Sequence, residues 1–267
     1  MRIAIGLEYA GTVFTGWQSQ PDGRGVQDAL EHALAAVADE PVRTIAAGRT
    51  DASVHATMQI AHFDVGVKRP DTAWVRGVNA HLPPEVAVLW AHPIAADFHA
   101  RNAARARSYT YLLANRPVRP ALLAGRVGWY HEPLDVGAMT RAAATLVGTH
   151  DFSAFRAAEC QAKSATKTVT EVAIAVYGDQ LHFDFRADAF LQHMIRNIVG
   201  SLVYVGAGRH PPEWIAELLE ARDRTRAAPT FAAAGLYFTG ADYDARWELP
   251  RARRPVALPN GSAAGPR

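Results

Sequence analysis

Residues 168–187 hold two runs of period-two hydrophobicity, TVTEVAIAV and QLHFDFRA, joined through Gly178-Asp179. A Gly-Asp turn between alternating runs specifies an antiparallel hairpin. The next segment, FLQHMIRNIVGSLVYVGAG, changes to helical spacing, with Leu191, Met194, Ile195, Ile198, Leu202 and Val205 on one side. A hairpin leading into a helix that is mostly apolar requires a sheet with that helix packed on it. One residue breaks the helix's pattern. Arg196 is a lone cation on a segment expected to be buried, and a buried charge needs a counter-charge.

The same grammar runs along the rest of the chain. Ile3, Ile5, Leu7 and Tyr9 alternate and predict an opening strand. Val26, Leu30, Leu34 and Val37 predict an amphipathic helix over 25–38. Further strands are expected in QIAHFDV, VAVLWAHPI and RSYTYLLA, and further helices over 71–80, over 135–147 and in PPEWIAELLEAR. Strands and helices alternate in two halves, with hairpins as well as crossovers. The expected class is α+β: two α/β sub-domains, 1–105 and 106–247, with a mixed, largely antiparallel sheet and helices packed on it. From about Pro250 the composition turns to Arg, Pro, Gly, Ser and Ala, and 248–267 reads as a disordered tail.

No apolar run approaches the roughly 18 residues of a membrane helix, and MRIAIGLEYAG becomes polar too early for a signal peptide. A single cysteine, Cys160, excludes an internal disulfide and a cysteine-based zinc site. The expected location is the cytoplasm. The net charge of +2 says little by itself, but its distribution is uneven. Between Phe98 and His131 there is no Asp or Glu, while Arg101, Arg105, Arg107, Arg116, Arg119 and Arg126 all fall there. Such a block is either a solvated arginine-rich face or an anion-binding surface.

The nonapeptide GRTDASVHA, Gly48–Ala56, sits between a predicted helix and a predicted strand, where exposed loops carry function. Asp51 close to Arg49 fits a turn with a local ion pair. It also fits a carboxylate kept ionised by arginine and used as nucleophile or base. His55 and His62 could suggest a metal, but His55 and Asp51 lack a third ligand at a known spacing, so no metal is expected. A glycosidase would want a second carboxylate across the bond, and the next acid downstream, Asp64, lies on a predicted strand.

This loop resembles the catalytic motif of the tRNA pseudouridine synthase A (TruA) family. The likeness extends in matching order through EYAGTVFTGWQSQP, Gly25-Val26-Gln27, DFHARNAARARSYTYLL, HDFSAFRA, FLQHMIRNIVGSLVYVGAGR and APTFAAAGLYF, covering about residues 3–240. It implies the pseudouridine synthase fold with an active-site cleft between the sub-domains. It also implies an isomerase that converts uridine to pseudouridine at positions 38, 39 and 40 of the tRNA anticodon stem-loop, as a homodimer and without cofactor. By the resemblance Asp51 is the catalytic carboxylate, attacking the sugar, adding to the base or removing a sugar proton. Arg196 would pair with Asp51, and Tyr109 would stack on the target base. Arg49 would help hold the flipped RNA geometry, and Leu236 would line the pocket. Arg101, Arg105 and Arg107 are the candidate RNA-binding arginines. From the residues alone, Tyr109 and Leu236 are equally ordinary strand residues. A non-catalytic RNA-binding module on the same fold is the alternative.

Three positions depart from the family pattern. Ser53 replaces a glycine, at a cost of about 1 kcal/mol if φ is positive there. Ala10 replaces an Asp, which reads as a lost turn or cap contact. Lys167 replaces an Arg, putting a point charge where a bidentate fork would reach a phosphate.

Overall fold

The computed structural model describes residues 1–256 and is an α+β protein. In chain order its strands are β1 (Arg2–Tyr9), β2 (Thr44–Ala46), β3 (His55–Asp64), β4 (Val86–Ile94), β5 (Ala106–Asn115), β6 (Gly128–Tyr130), β7 (Gly148–Asp151), β8 (Thr166–Tyr177), β9 (Gln180–Ala187) and β10 (Leu236–Asp242). The helices are α1 (Val26–Ala38), α2 (Val78–His81), α3 (Val136–Ala144), α4 (Met194–Gly206) and α5 (Trp214–Ala221). The described residues divide into two compact units. One comprises Met1–Arg107 with Tyr237–Val256, and the other comprises Ser108–Leu236.

In the first unit the strand order is β4-β1-β3-β10, with β2 paired to β3. β1 runs antiparallel to both β3 and β4, whereas β10 joins β3 in parallel, with Tyr237 opposite His55 and Phe238 opposite Ala56. Val26, Leu30, Ala33, Leu34 and Ala38 of α1 are fully buried, as their 3.6-residue spacing demands. The helix starts at Gly25, whose N–H donates to the Asp28 carboxylate at 2.9 Å. It stops at Asp39, which takes up the left-handed conformation at φ 59°. The helix expected over 71–80 is a π-turn, Ala73–Gly77, running into α2.

The first unit also claims the last of the described residues. The strand at 237–242 belongs to it, although the chain pattern ran the second sub-domain on to 247. A parallel pairing between residues 182 positions apart leaves no local trace in the sequence. Residues 248–256, expected to be disordered, are held as well. Ala241 N–H donates to Ala252 O at 3.2 Å and Arg254 N–H to Thr239 O at 2.9 Å, while the Arg254 guanidinium pairs with Glu8. Backbone pairing to a strand overrides the Pro- and Arg-rich composition there. The rest of the expected tail, 257–267, lies outside the described residues.

In the second unit the order is β5-β9-β8-β7, with β6 in parallel on β5. β8 and β9 form the hairpin read from the sequence, with Tyr177 opposite Gln180 and Gly178 at φ 63° in the turn. α3, α4 and α5 pack on one another. α4 is buried nearly all round, and Arg196 is half-buried on it. The other polar residues inside α4 find partners. Asn197, fully buried, donates to Phe155 O at 2.8 Å, and Ser201 donates to Asn197 O at 3.0 Å.

Candidate active site

In the first unit, Asp51 lies in the connection from β2 to β3, half-buried and directly after Thr50. The backbone turns at once beyond it. Val54 N–H closes back on Asp51 O at 3.2 Å, and Ser53, third in this turn, has φ 65°. That position favours glycine, so serine carries the strain its replacement of glycine predicted. Ser53→Gly should relieve about 1–2 kcal/mol of left-handed strain. The looser unfolded chain takes back about 0.4–1 kcal/mol. Urea unfolding should therefore show a higher midpoint at unchanged slope, and Ser53→Ala should give no gain. A lower midpoint for the glycine variant would contradict this reading.

The segment after β1 lies against the Asp51 loop and shapes it. Trp17 N–H donates to Thr50 O at 3.0 Å. Gly16, at φ 113°, comes so close that a Cβ on it would stand 2.7 Å from Thr50 O and 3.2 Å from Asp51 C. Gly11 meets the other end of the loop. A Cβ there would fall 2.0 Å from Val54 O, and the Gly11 N–H donates to His55 Nδ1 at 3.1 Å. With Nδ1 accepting, the His55 ring carries its proton on Nε2. The ring is buried and stacks on Tyr237 with centroids 4.7 Å apart. His62 is a core histidine. Its Nδ1 accepts from Ala100 N–H at 3.2 Å, and burial, followed by the charges of Arg2 and His99, lowers its pKa to about 4. Among the described residues no three His, Cys, Asp or Glu side chains group as metal ligands.

Two arginines of the run have carboxylate partners. Arg105 pairs with Asp244, and Arg116 pairs with Asp179 at 3.2 Å, so distant carboxylates answer charges that looked unopposed in sequence. The Arg107 guanidinium donates to the carbonyls of Ala47 at 3.2 Å, Ala104 at 3.1 Å and Arg101 at 2.6 Å. Arg101 is exposed, yet its pKa is held below the usual arginine value by partial desolvation and then by the charges of Arg49 and Arg107. Two of the arginines singled out in sequence, Arg49 and Arg107, thus each stand within electrostatic reach of a third, Arg101, in the unit that carries Asp51.

In the second unit, Tyr109 and Tyr111 lie on β5 two residues apart, both buried. Tyr109 meets Phe190 edge-on at 5.2 Å. Tyr111 is a core residue whose hydroxyl donates to Ala232 O at 2.8 Å. Its pKa is raised by burial, with the Arg196 charge opposing. The Arg196 Nε donates to Phe231 O at 2.9 Å, and Phe231 N–H returns a bond to Arg196 O at 3.2 Å. Phe231 belongs to a segment that Asn197 fastens: its Oδ1 accepts from Thr230 Oγ1 at 2.7 Å and from Arg224 Nη2 at 3.1 Å. Leu236 begins β10, 6% exposed. Sequence reading missed this fastening, because Asn197 and Arg224 show their use only once residues 27 positions apart meet. Two departures from the family pattern stay local. Ala10 heads a 3-10 turn with no side-chain cap, and Lys167 Nζ donates to Ser164 O at 2.8 Å and Thr166 O at 2.9 Å.

A family model described as tRNA pseudouridine synthase matches residues 7–101 and 142–244. The chain belongs to the tRNA pseudouridine synthase family. Asp51, Arg196 and Leu236 fall in the matched stretches, and Tyr109 lies in the segment between them. The chain is 62% identical to tRNA pseudouridine synthase A of Thiobacillus denitrificans over 250 residues, covering 94% of this chain and 96% of that protein. It is 60% identical to the Dechloromonas aromatica protein of the same name, covering 94% and 95%, and 55% identical to that of Methylobacillus flagellatus, covering 97% and 99%. These family relatives span the Tyr109 segment that the model passes over. Among the described residues no helix is long and apolar enough to cross a membrane.

Proposed function

We propose that this chain isomerises uridine to pseudouridine in tRNA, at positions 38, 39 and 40 of the anticodon stem-loop. The reaction breaks the glycosidic bond, turns the uracil and rejoins it through C5, so it is balanced without cofactor or co-substrate. The observation that carries the reading is the Asp51 loop, held from beneath by Gly11, Gly16 and Trp17 within a segment the family model matches. Asp51 is the reacting carboxylate, Arg196 its counter-charge, and Tyr109 the ring against the target base. Leu236 lines the pocket. Stacking of this kind contributes about 1–3 kcal/mol per base, offsetting the few kcal/mol needed to extrude a paired nucleotide. Arg49 and Arg107 each repel Arg101, and an RNA phosphate would relieve that repulsion. Arg105, already paired with Asp244, contributes less than its neighbours. The protein works in the cytoplasm as a homodimer.

The test uses unmodified tRNA labelled with tritium at uridine C5. The expected result is tritium release, with pseudouridine mapped to positions 38–40. Tight binding without release would favour an RNA-binding module on the same fold, and release of free uracil would indicate an N-glycosidase.

A further inference from the structure

Beneath the Asp51 loop lies a buried polar chain that the mechanism above does not use. Gln59, on β3, is fully buried, and Tyr9, at the end of β1, is 4% exposed. A buried amide is costly unless its hydrogen bonds are made. Gln59 Nε2 donates to Gly48 O at 2.9 Å and to the Tyr9 hydroxyl at 3.4 Å. The Tyr9 hydroxyl in turn lies 2.8 Å from Thr50 Oγ1. Either oxygen of that pair can donate, so the chain runs unbroken from Gln59 through Tyr9 to Thr50. Burial raises the Tyr9 pKa to about 12, so the phenol stays protonated throughout the neutral range.

The chain fastens two of the three residues that lead into Asp51. Gly48 is held by its carbonyl, and Thr50 by its side chain from Tyr9 and by its carbonyl from Trp17. We infer that Tyr9 and Gln59 are positioning residues for Asp51, acting through Gly48 and Thr50. This inference rests on the proposed role of Asp51. It extends that role by assigning the placement of the carboxylate to two side chains outside the GRTDASVHA motif.

The experiment measures the single-turnover rate of tritium release, with enzyme in saturating excess over C5-labelled tRNA and below the unfolding temperature of every variant. A rate constant read this way does not depend on how much of a variant is folded. Tyr9→Phe removes one oxygen, Thr50→Val replaces the hydroxyl with a methyl of similar size, and Thr50→Ser keeps the hydroxyl. Tyr9→Phe and Thr50→Val should each lower the rate between about 10- and 100-fold, the effect of a small misplacement of a reacting group. Thr50→Ser should stay near wild type, and the Tyr9→Phe/Thr50→Val pair should be no slower than the worse single variant. Apparent affinity for tRNA should be unchanged. If Thr50→Val fails to fold, Tyr9→Phe and Thr50→Ser decide the matter. A wild-type rate in Tyr9→Phe, even with a lowered unfolding midpoint, would reduce the chain to a structural role and overturn the inference. No release by the wild-type protein would instead remove the proposed function and this inference with it.

Discussion

Asn at position 51 should end tritium release while leaving tRNA binding intact. Asp51→Asn keeps the shape of the side chain and removes its charge and basicity. Whether the carboxylate attacks the sugar, adds to the base or takes a sugar proton, each route needs the ionised form. A group that transfers a proton or forms a bond in the transition state commonly contributes 10²–10⁴-fold, so the rate should fall by about 10³-fold or more. The loop itself should hold, since Gly48 and Thr50 are anchored through their own atoms and the turn closes on the backbone oxygen of Asp51. Single-turnover release and a filter-binding titration on the same tRNA separate the two effects. Residual release within ten-fold of wild type would move the chemistry to another residue.

Gly16→Ala should be nearly as damaging, though position 16 bears no chemical group. Its φ of 113° lies where side chains are rarely accommodated. The added methyl would also sit 2.7 Å from Thr50 O, a backbone atom. Neither neighbour is the free end of a flexible side chain, so the loop must shift or the 11–17 segment must lift away. A shift also breaks the Trp17–Thr50 bond. A displacement near 1 Å can cost about 10²-fold in rate, and the backbone strain should destabilise the fold by about 1–3 kcal/mol. The expected pattern is a kcat lowered about 100-fold with KM for tRNA within a few-fold, together with a lower unfolding midpoint. Full activity at reduced stability would mean that the loop tolerates the push.

Much of this fold is written in local periodicity. α1 and the β8–β9 hairpin appear within a residue or two of where the apolar spacing puts them, because each buries one face against a neighbour. β2, β6 and β7, with 3, 3 and 4 residues, are too short to show a period. They exist only because a longer strand accepts them. The candidate site divides in the same way. Asp51 and Arg196 stand out in sequence, one as a lone acid in a glycine-led loop and the other as a cation on an apolar helix. Gln59 and Tyr9 do not, because an amide and a phenol on strands look ordinary until their partners 11 and 41 residues away are known. The ion partners in the arginine run are hidden for the same reason, since Asp244 and Asp179 answer Arg105 and Arg116 from 139 and 63 residues away.

The late arrival of β10 has a consequence for synthesis. β3, the strand that follows the Asp51 loop, pairs with Tyr237 and Phe238, and the His55 ring rests on Tyr237. On the ribosome, residues 1–107 emerge long before that partner exists. At about 5–20 residues per second, the nascent first unit spends several seconds with the loop end of β3 presenting unpaired backbone, an invitation to wrong pairing. Translation speed and chaperone access over residues 108–236 therefore bear on how much active enzyme a cell obtains, and a nonsense codon between 108 and 236 would leave a product with every loop residue present and no strand to seat it.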